Sequence, residues 1–144
     1  MSLNPSIHAT AIACRGPDGW RCALLQGPSG SGKSDLALRL LDRGWRLVSD
    51  DQVHVWRSGD AIYATAPRQI LGRIEARGLG IVTVADLYVS RVVRVVDCVQ
   101  QATERMPEDN QVTLCGVLLP QLTLDIRPQS AVETLIRAMA GLEP

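Results

Sequence analysis

The chain has 144 residues, 46% hydrophobic and 21% charged, which suits one globular domain, taken as residues 1–144, and excludes a disordered chain. Lys+Arg and Asp+Glu number 15 each, so a formal net charge of zero argues against a nucleic-acid partner or an anionic membrane surface. No apolar run approaches ~20 residues. Met1-Ser2-Leu3-Asn4-Pro5 has no charged n-region followed by an apolar stretch, so neither leader nor membrane span is expected and the cytoplasm is the expected compartment.

In chain order, Ile7 to Cys14 reads as a strand, Arg15-Gly16-Pro17-Asp18-Gly19 as a turn and Trp20 to Leu25 as a second strand, which together predict an antiparallel hairpin. Cys22-Ala23-Leu24-Leu25 then feeds Gly27-Pro28-Ser29-Gly30-Ser31-Gly32-Lys33-Ser34. A helix is expected from about Lys33 to Arg43, with Gly44 as its cap. Arg46 to Ser49 is a short strand ending in Asp50-Asp51, and Val53 to Trp56 and Ile62 to Thr65 flank a Gly59-Asp60 turn. Further strands are expected at Ile81 to Val84, Val92 to Val99, Val112 to Leu114 and Leu122 to Ile126, and a closing helix at Ala131 to Met139. Many strands, few helices and one strand–loop–helix unit predict an α/β fold with a mixed sheet rather than a fully doubly wound one.

Residues 27–34 fit G-x-x-x-x-G-K-[ST], the phosphate-binding loop of nucleotide enzymes. The glycines let backbone N–H groups turn inward on phosphate oxygens, Lys33 brings a cation to the β- and γ-phosphates, and the Ser34 hydroxyl suits Mg²⁺. Asp50 and Asp51 follow Lys33 by 17 and 18 residues. If their strand lies beside the one feeding the loop, both carboxylates emerge at the same ligand-binding sheet edge. One carboxylate would hold Mg²⁺ and the other would orient and deprotonate an attacking hydroxyl; an exposed acidic turn is the plain alternative.

Gly72-Arg73-Ile74-Glu75-Ala76-Arg77-Gly78-Leu79-Gly80 is either a backbone that approaches phosphates or a solvated loop. In the first case Glu75 is a further Mg²⁺ ligand and Arg73 or Arg77 stabilises transferring charge. His8 and His54 read from pattern alone as ordinary strand residues. Cys14, Cys22, Cys98 and Cys115 lack metal-site or C-x-x-C spacing and are expected as free thiols.

Taken together, these segments resemble the catalytic domain of the HPr kinase/phosphorylase family, whose P-loop kinase fold is similar to that of phosphoenolpyruvate carboxykinase. The resemblance rests on Ser6-Ile7-His8, the phosphate loop, Leu36-Ala37-Leu38, Arg43-Gly44 and Arg46-Leu47-Val48-Ser49-Asp50-Asp51. Its most specific part is Ile74-Glu75-Ala76-Arg77-Gly78-Leu79-Gly80-Ile81, and Glu104-Arg105 and Gly116-Val117 with Pro120 match more weakly, over residues 6 to about 126. The family uses ATP and Mg²⁺ to phosphorylate a serine of a phosphocarrier protein, HPr or its nitrogen-system counterpart.

By that resemblance Lys33 contacts the transferring phosphates, and Ser34, Glu75 and Asp50 lie at the metal. Asp51 is the general base with Asp50 beside it, His8 belongs to the catalytic site, and Arg105 contacts phosphate. Long members form ring-shaped hexamers, which leaves room for a homo-oligomer. Three differences stand out. The regulatory domain of long members is not in the chain, as in short alphaproteobacterial forms. Leu122 to Gln129 occupies the place of a segment tied to the reverse phosphorylase reaction, which puts that reaction in question. Trp45 and Asp35 stand where histidine and glutamate are usual. A kinase with a small-molecule acceptor and a nucleotide-sensing regulator without turnover are the rival readings.

Overall fold

Strands β1 (Ser6–His8) and β2 (Thr10–Gly16) open the computed structural model, which describes residues 6–142; Met1–Pro5, where no leader was expected, lies outside them. They are followed by β3 (Gly19–Gln26), the phosphate loop, α1 (Lys33–Leu41), β4 (Arg46–Ser49), β5 (Gln52–Ser58) and β6 (Ala61–Thr65). A 3₁₀ turn, Arg68–Ile70, leads to β7 (Arg73–Ala76) and β8 (Gly80–Thr83). The chain then runs through β9 (Val89–Val99), β10 (Asn110–Leu114), β11 (Val117–Asp125) and α2 (Ala131–Ala140).

Nine of these strands form one mixed, curled sheet, as expected for this α/β class. Its order is β1-β5-β6-β9-β3-β2-β4, with β11 paired to the C-terminal part of β9 and β10 outside β11. The predicted hairpin is β2–β3, paired from Thr10 with Leu25 to Gly16 with Gly19. β3, β9 and β11 are parallel, and β4 runs in the same sense because it is antiparallel to β2. The carboxyl ends of β3, β4, β9 and β11 therefore meet at one edge.

The apolar run in β3 is explained by burial on both faces, the environment that removes the need for alternation. Ala23 and Leu25 pack with Leu36, Ala37 and Leu40 of α1 and with Val132, Leu135 and Met139 of α2. Cys22 and Leu24 face a second core with Ala11, Ala13, Val53, Val55, Ile62 and Val95. Complete burial of a side chain such as Leu24 or Leu36 stabilises by roughly 1.5–3 kcal/mol before entropy is counted. With no Phe in the chain, these cores are filled by small and branched aliphatics.

Helix α1 stops where Gly44 requires it. Gly44 has φ 84; its N–H donates to Leu41 O at 3.3 Å, and Trp45 N–H donates to Leu40 O at 3.3 Å. This is the paired closure of a Schellman motif, which buries Trp45 against the helix-side core.

Four expectations need correction. The strand read from Ile7 to Cys14 is two strands parted at Ala9, because β1 pairs with β5 while β2 pairs with β3 and β4. The acid-pair strand β4 does not lie beside β3, since β2 separates them. The glycine-dense 72–80 segment is mostly a β7–β8 hairpin, held because Ile74 is buried against α1 while Arg73 and Glu75 alternate outward. The last strand begins at Val117, not Leu122. Pro120 is tolerated there because that part of β11 pairs only with β10, and β9 joins from Gln121 onward.

Candidate active site

The shared carboxyl edge gathers the chemistry. β3 ends at Gln26 and delivers the phosphate loop, β4 ends at Ser49 and delivers Asp50-Asp51, and the start of β2 and end of β1 bring Thr10 and His8. The hairpin β7–β8 closes the side. Leu47, on the outer strand β4, receives Leu87 N–H and donates to Ala85 O, while Val84 N–H donates to Gly72 O, which ties the hairpin's base to the sheet. The result is a cavity of about 540 Å³ lined by Ser29, Gly30, Gly32, Lys33, Ser34, Thr10, Asp50, Asp51, Arg73, Glu75 and Arg77 among others.

The loop's own geometry suits an anion. Gly32, at φ 104, precedes α1, and no side chain caps that helix N-terminus, so its first amides are directed at the cavity. Gly27, Pro28 and Ser31 build the loop from beneath. Lys33 donates to Gly27 O at 2.7 Å and Pro28 O at 3.0 Å and is 5% exposed. Gln100, where the chain leaves β9, donates to Ser31 O at 2.7 Å. Cys98 lies under Gly27. Burial pushes its thiol up to about 12, against the opposing pull of Lys33, so it is a packing group and not a nucleophile.

The two aspartates sit in different surroundings. Asp50 is buried and accepts three hydrogen bonds: Ser34 Oγ at 2.6 Å and Thr10 Oγ1 at 3.1 Å on Oδ1, and Glu75 N–H at 3.2 Å on Oδ2. Asp51 has φ 72, and its side chain is 63% exposed and, among the described residues, meets only His8 Nδ1, at 3.1 Å. A carboxylate only accepts, so that contact puts the proton on Nδ1. On the other side of the ring Nε2 meets Ser29 Oγ at 3.3 Å and Lys33 Nζ at 3.5 Å. A continuous chain of hydrogen bonds thus joins Asp51 to the phosphate loop.

Mg²⁺ is the metal the phosphate loop implies, and the donors fit it. Ser34 Oγ, Asp50 and Glu75 present hard oxygen donors on one cavity. Among the described residues no three His, Cys, Asp or Glu side chains cluster closely enough to hold a metal by themselves.

The structure brings together every site residue expected from the sequence except Arg105. That side chain lies on the exposed 100–109 connection between β9 and β10 and does not line the cavity. His54 pairs across from Ser6 and Thr65, in strand positions away from the site. The four cysteines are free thiols, as expected. Thr10 and Gln100 were not anticipated. A hydroxyl opening a strand of buried alanines was the available signal for Thr10, whereas no local pattern marks Gln100.

Among the described residues no helix is long and apolar enough to cross a membrane. Residues 19–142 match the family model described as the HPr Serine kinase C-terminal domain. The match runs past the 6-to-126 span of the motifs at one end, taking in α2, and starts later at the other. The chain is 35% identical over 153 residues to an HPr kinase/phosphorylase of Streptococcus thermophilus, covering 97% of this chain and 48% of that protein. It is 38% identical over 130 residues to one from Caldanaerobacter subterraneus, covering 81% and 43%. The chain therefore spans less than half the length of these curated relatives. A solved structure of the HPr(Ser) kinase/phosphatase from Coxiella burnetii superposes with a TM-score of 0.78 at 25% identity, covering 94% of this chain and 95% of that one. The chain belongs to the HPr serine kinase C-terminal domain family.

Proposed function

We propose that this chain acts as a single catalytic domain in the cytoplasm, an ATP- and Mg²⁺-dependent serine kinase whose acceptor is a phosphocarrier protein, HPr or its nitrogen-system counterpart. The observation that carries the reading is the exposed Asp51 carboxylate, linked through His8 to Ser29 and Lys33 of the phosphate loop. A base at the mouth of a phosphate cradle, open to solvent on its far side, suits an acceptor that arrives as part of another macromolecule. The relatives named as HPr kinases support the acceptor class.

In this mechanism the first-turn amides of α1 and Lys33 hold the triphosphate. The three ammonium hydrogens of Lys33 face Gly27 O, Pro28 O and His8 Nε2, so gripping a phosphate exchanges at least one of these contacts. Ser34, Asp50 and Glu75 would hold Mg²⁺, which would supply neutralisation of the phosphate charge. Asp51 orients the incoming serine hydroxyl and takes its proton as the oxygen attacks the γ-phosphorus in line and the bond to the departing ADP breaks, and the His8 N–H fixes the carboxylate's direction. Arg73 and Arg77, on the cavity's rim, stabilise the charge in transit. The forward reaction is the one proposed, and phosphorolysis of the product is expected to be weak because Leu122–Gln129 replaces the segment tied to it.

The test is transfer of labelled phosphate from ATP·Mg²⁺ to the phosphocarrier protein of the same organism, wild type against Asp51→Asn. Serine labelling that falls about 10²–10⁴-fold in the variant, with nucleotide still bound, is expected for loss of a general base. Near-normal labelling by Asp51→Asn would remove the base assignment. Label on a metabolite would make the acceptor a small molecule, and tight ATP binding without any transfer would favour a nucleotide sensor.

A further inference from the structure

Thr10 opens β2, the strand between β3 and β4, and is 1% exposed. Its hydroxyl has two partners. It donates to Asp50 Oδ1 at 3.1 Å, and it accepts the Asp51 N–H at 3.3 Å.

The register explains why a side chain is needed there. His8 pairs with Gln52 and Ala11 with Ser49, so Ala9 and Thr10 face Asp51 and Asp50 across a gap in the ladder. In that gap Gln52 N–H turns back to Asp50 O at 2.8 Å, which makes a γ-turn with Asp51 at its centre, φ 72. L-residues other than glycine rarely adopt this conformation, and it persists only when its surroundings hold it. Ala9 N–H, donating to Asp51 O at 3.1 Å, holds the carbonyl side. The amide side is held by Thr10. The same hydroxyl hydrogen-bonds the Asp50 oxygen that Ser34 also contacts.

We propose that Thr10 is a positioning residue for both aspartates: its one hydroxyl fixes the Asp50 carboxylate by donating and the Asp51 backbone by accepting. The catalytic consequence rests on the kinase reading above, whereas the geometric one does not. Valine matches threonine in shape and can do neither job.

The test compares wild type, Thr10→Val and Thr10→Ser in phosphate transfer from ATP·Mg²⁺ to the phosphocarrier, and in hydrogen exchange of the Asp51 amide by NMR. Thr10→Val is expected to lower kcat about 10–100-fold, the range typical when support behind an active-site ligand is removed. KM for ATP should change far less, since Thr10 has no hydrogen bond to the phosphate loop glycines or Lys33. The Asp51 amide should lose its protection in Thr10→Val, and Thr10→Ser should restore both rate and protection. Wild-type kcat in Thr10→Val, unchanged amide protection, or failure of Thr10→Ser to rescue would each overturn the proposal. Should Thr10→Val not fold, Thr10→Ala carries the same expectations. A wild-type protein that transfers no phosphate would sink the kinase reading instead. Amide protection in wild type and Thr10→Ser, lost in Thr10→Val, would then still support the positioning, and its persistence in Thr10→Val would overturn it.

Discussion

Replacing Gly27 by alanine separates two reasons a phosphate loop contains glycine. Gly27 has φ 153, and a Cβ placed on it would lie 2.8 Å from Cys98 O, 3.2 Å from Ser31 Oγ and 3.5 Å from Cys98 Cβ. The first contact is shorter than real Cβ atoms make and falls on backbone. Cys98 cannot retreat, because it is 1% exposed within the helix-side core. Gly30 is the control: φ 80, with nothing within 4 Å of an added Cβ. For Gly30→Ala only the backbone conformation matters, about 1–2 kcal/mol. Gly27→Ala adds overpacking of roughly 1–3 kcal/mol, for a total of about 2–5 kcal/mol. The smaller unfolded-state entropy of alanine favours both variants alike and cancels in the comparison. Urea unfolding followed by fluorescence of buried Trp45 reads both stabilities. Lys33 donates to Gly27 O, so ATP affinity should also fall further in Gly27→Ala than in Gly30→Ala, under conditions where both are folded. Equal destabilisation of the two would refute the reasoning, because close approach to β9 would then not be what demands glycine at position 27.

Two further outcomes follow from the ends of elements. Arg43, just past α1, hydrogen-bonds Glu133 in the first turn of α2 and holds that carboxyl below its usual range, with a smaller backbone contribution. Its pairing therefore stabilises the fold fully above the unfolded value, near about 4.3, and the benefit is lost as pH falls through the depressed native value. Urea midpoints of Glu133→Gln should trail wild type at neutral pH and converge with it in acid; a constant gap would mean the pair contributes nothing. Separately, Cys115 and Gly116, at φ 49 and 80, form the two-residue link between Leu114 and Val117, the type I′ pattern that favours Asn-Gly. Cys115→Asn should raise stability by about 0.5–2 kcal/mol in thermal unfolding, and an unchanged or lower midpoint would show that the turn is not strained.

What was legible in the sequence is what neighbours in the chain decide. The phosphate loop, the helix after it and the Gly44 stop each depend on a few consecutive residues, and all three were expected where they stand. The β2–β3 hairpin likewise follows from one turn. The hairpin at 73–83 was obscured because Gly72, Gly78 and Gly80 at and beside it suggested a loop, while the deciding fact, that Ile74 is buried against α1, is tertiary. The break at Ala9 is not local either: nothing in Ile7-His8-Ala9-Thr10 says that the first half will pair with β5 and the second with β4. The site depends on that break. Asp50 receives donors from β2, from α1 and from β7, three elements spread over residues 10 to 75. The break that sends the chain to two parts of the sheet also leaves Ala9 and Thr10 across from Asp51 and Asp50, with the His8 ring against the Asp51 carboxylate. Two adjacent acids thereby acquire different surroundings. Asp50, buried under three donors, is suited to hold still. Asp51, exposed and set in a turn held by backbone contacts and Thr10, presents its carboxylate to solvent with His8 at its side.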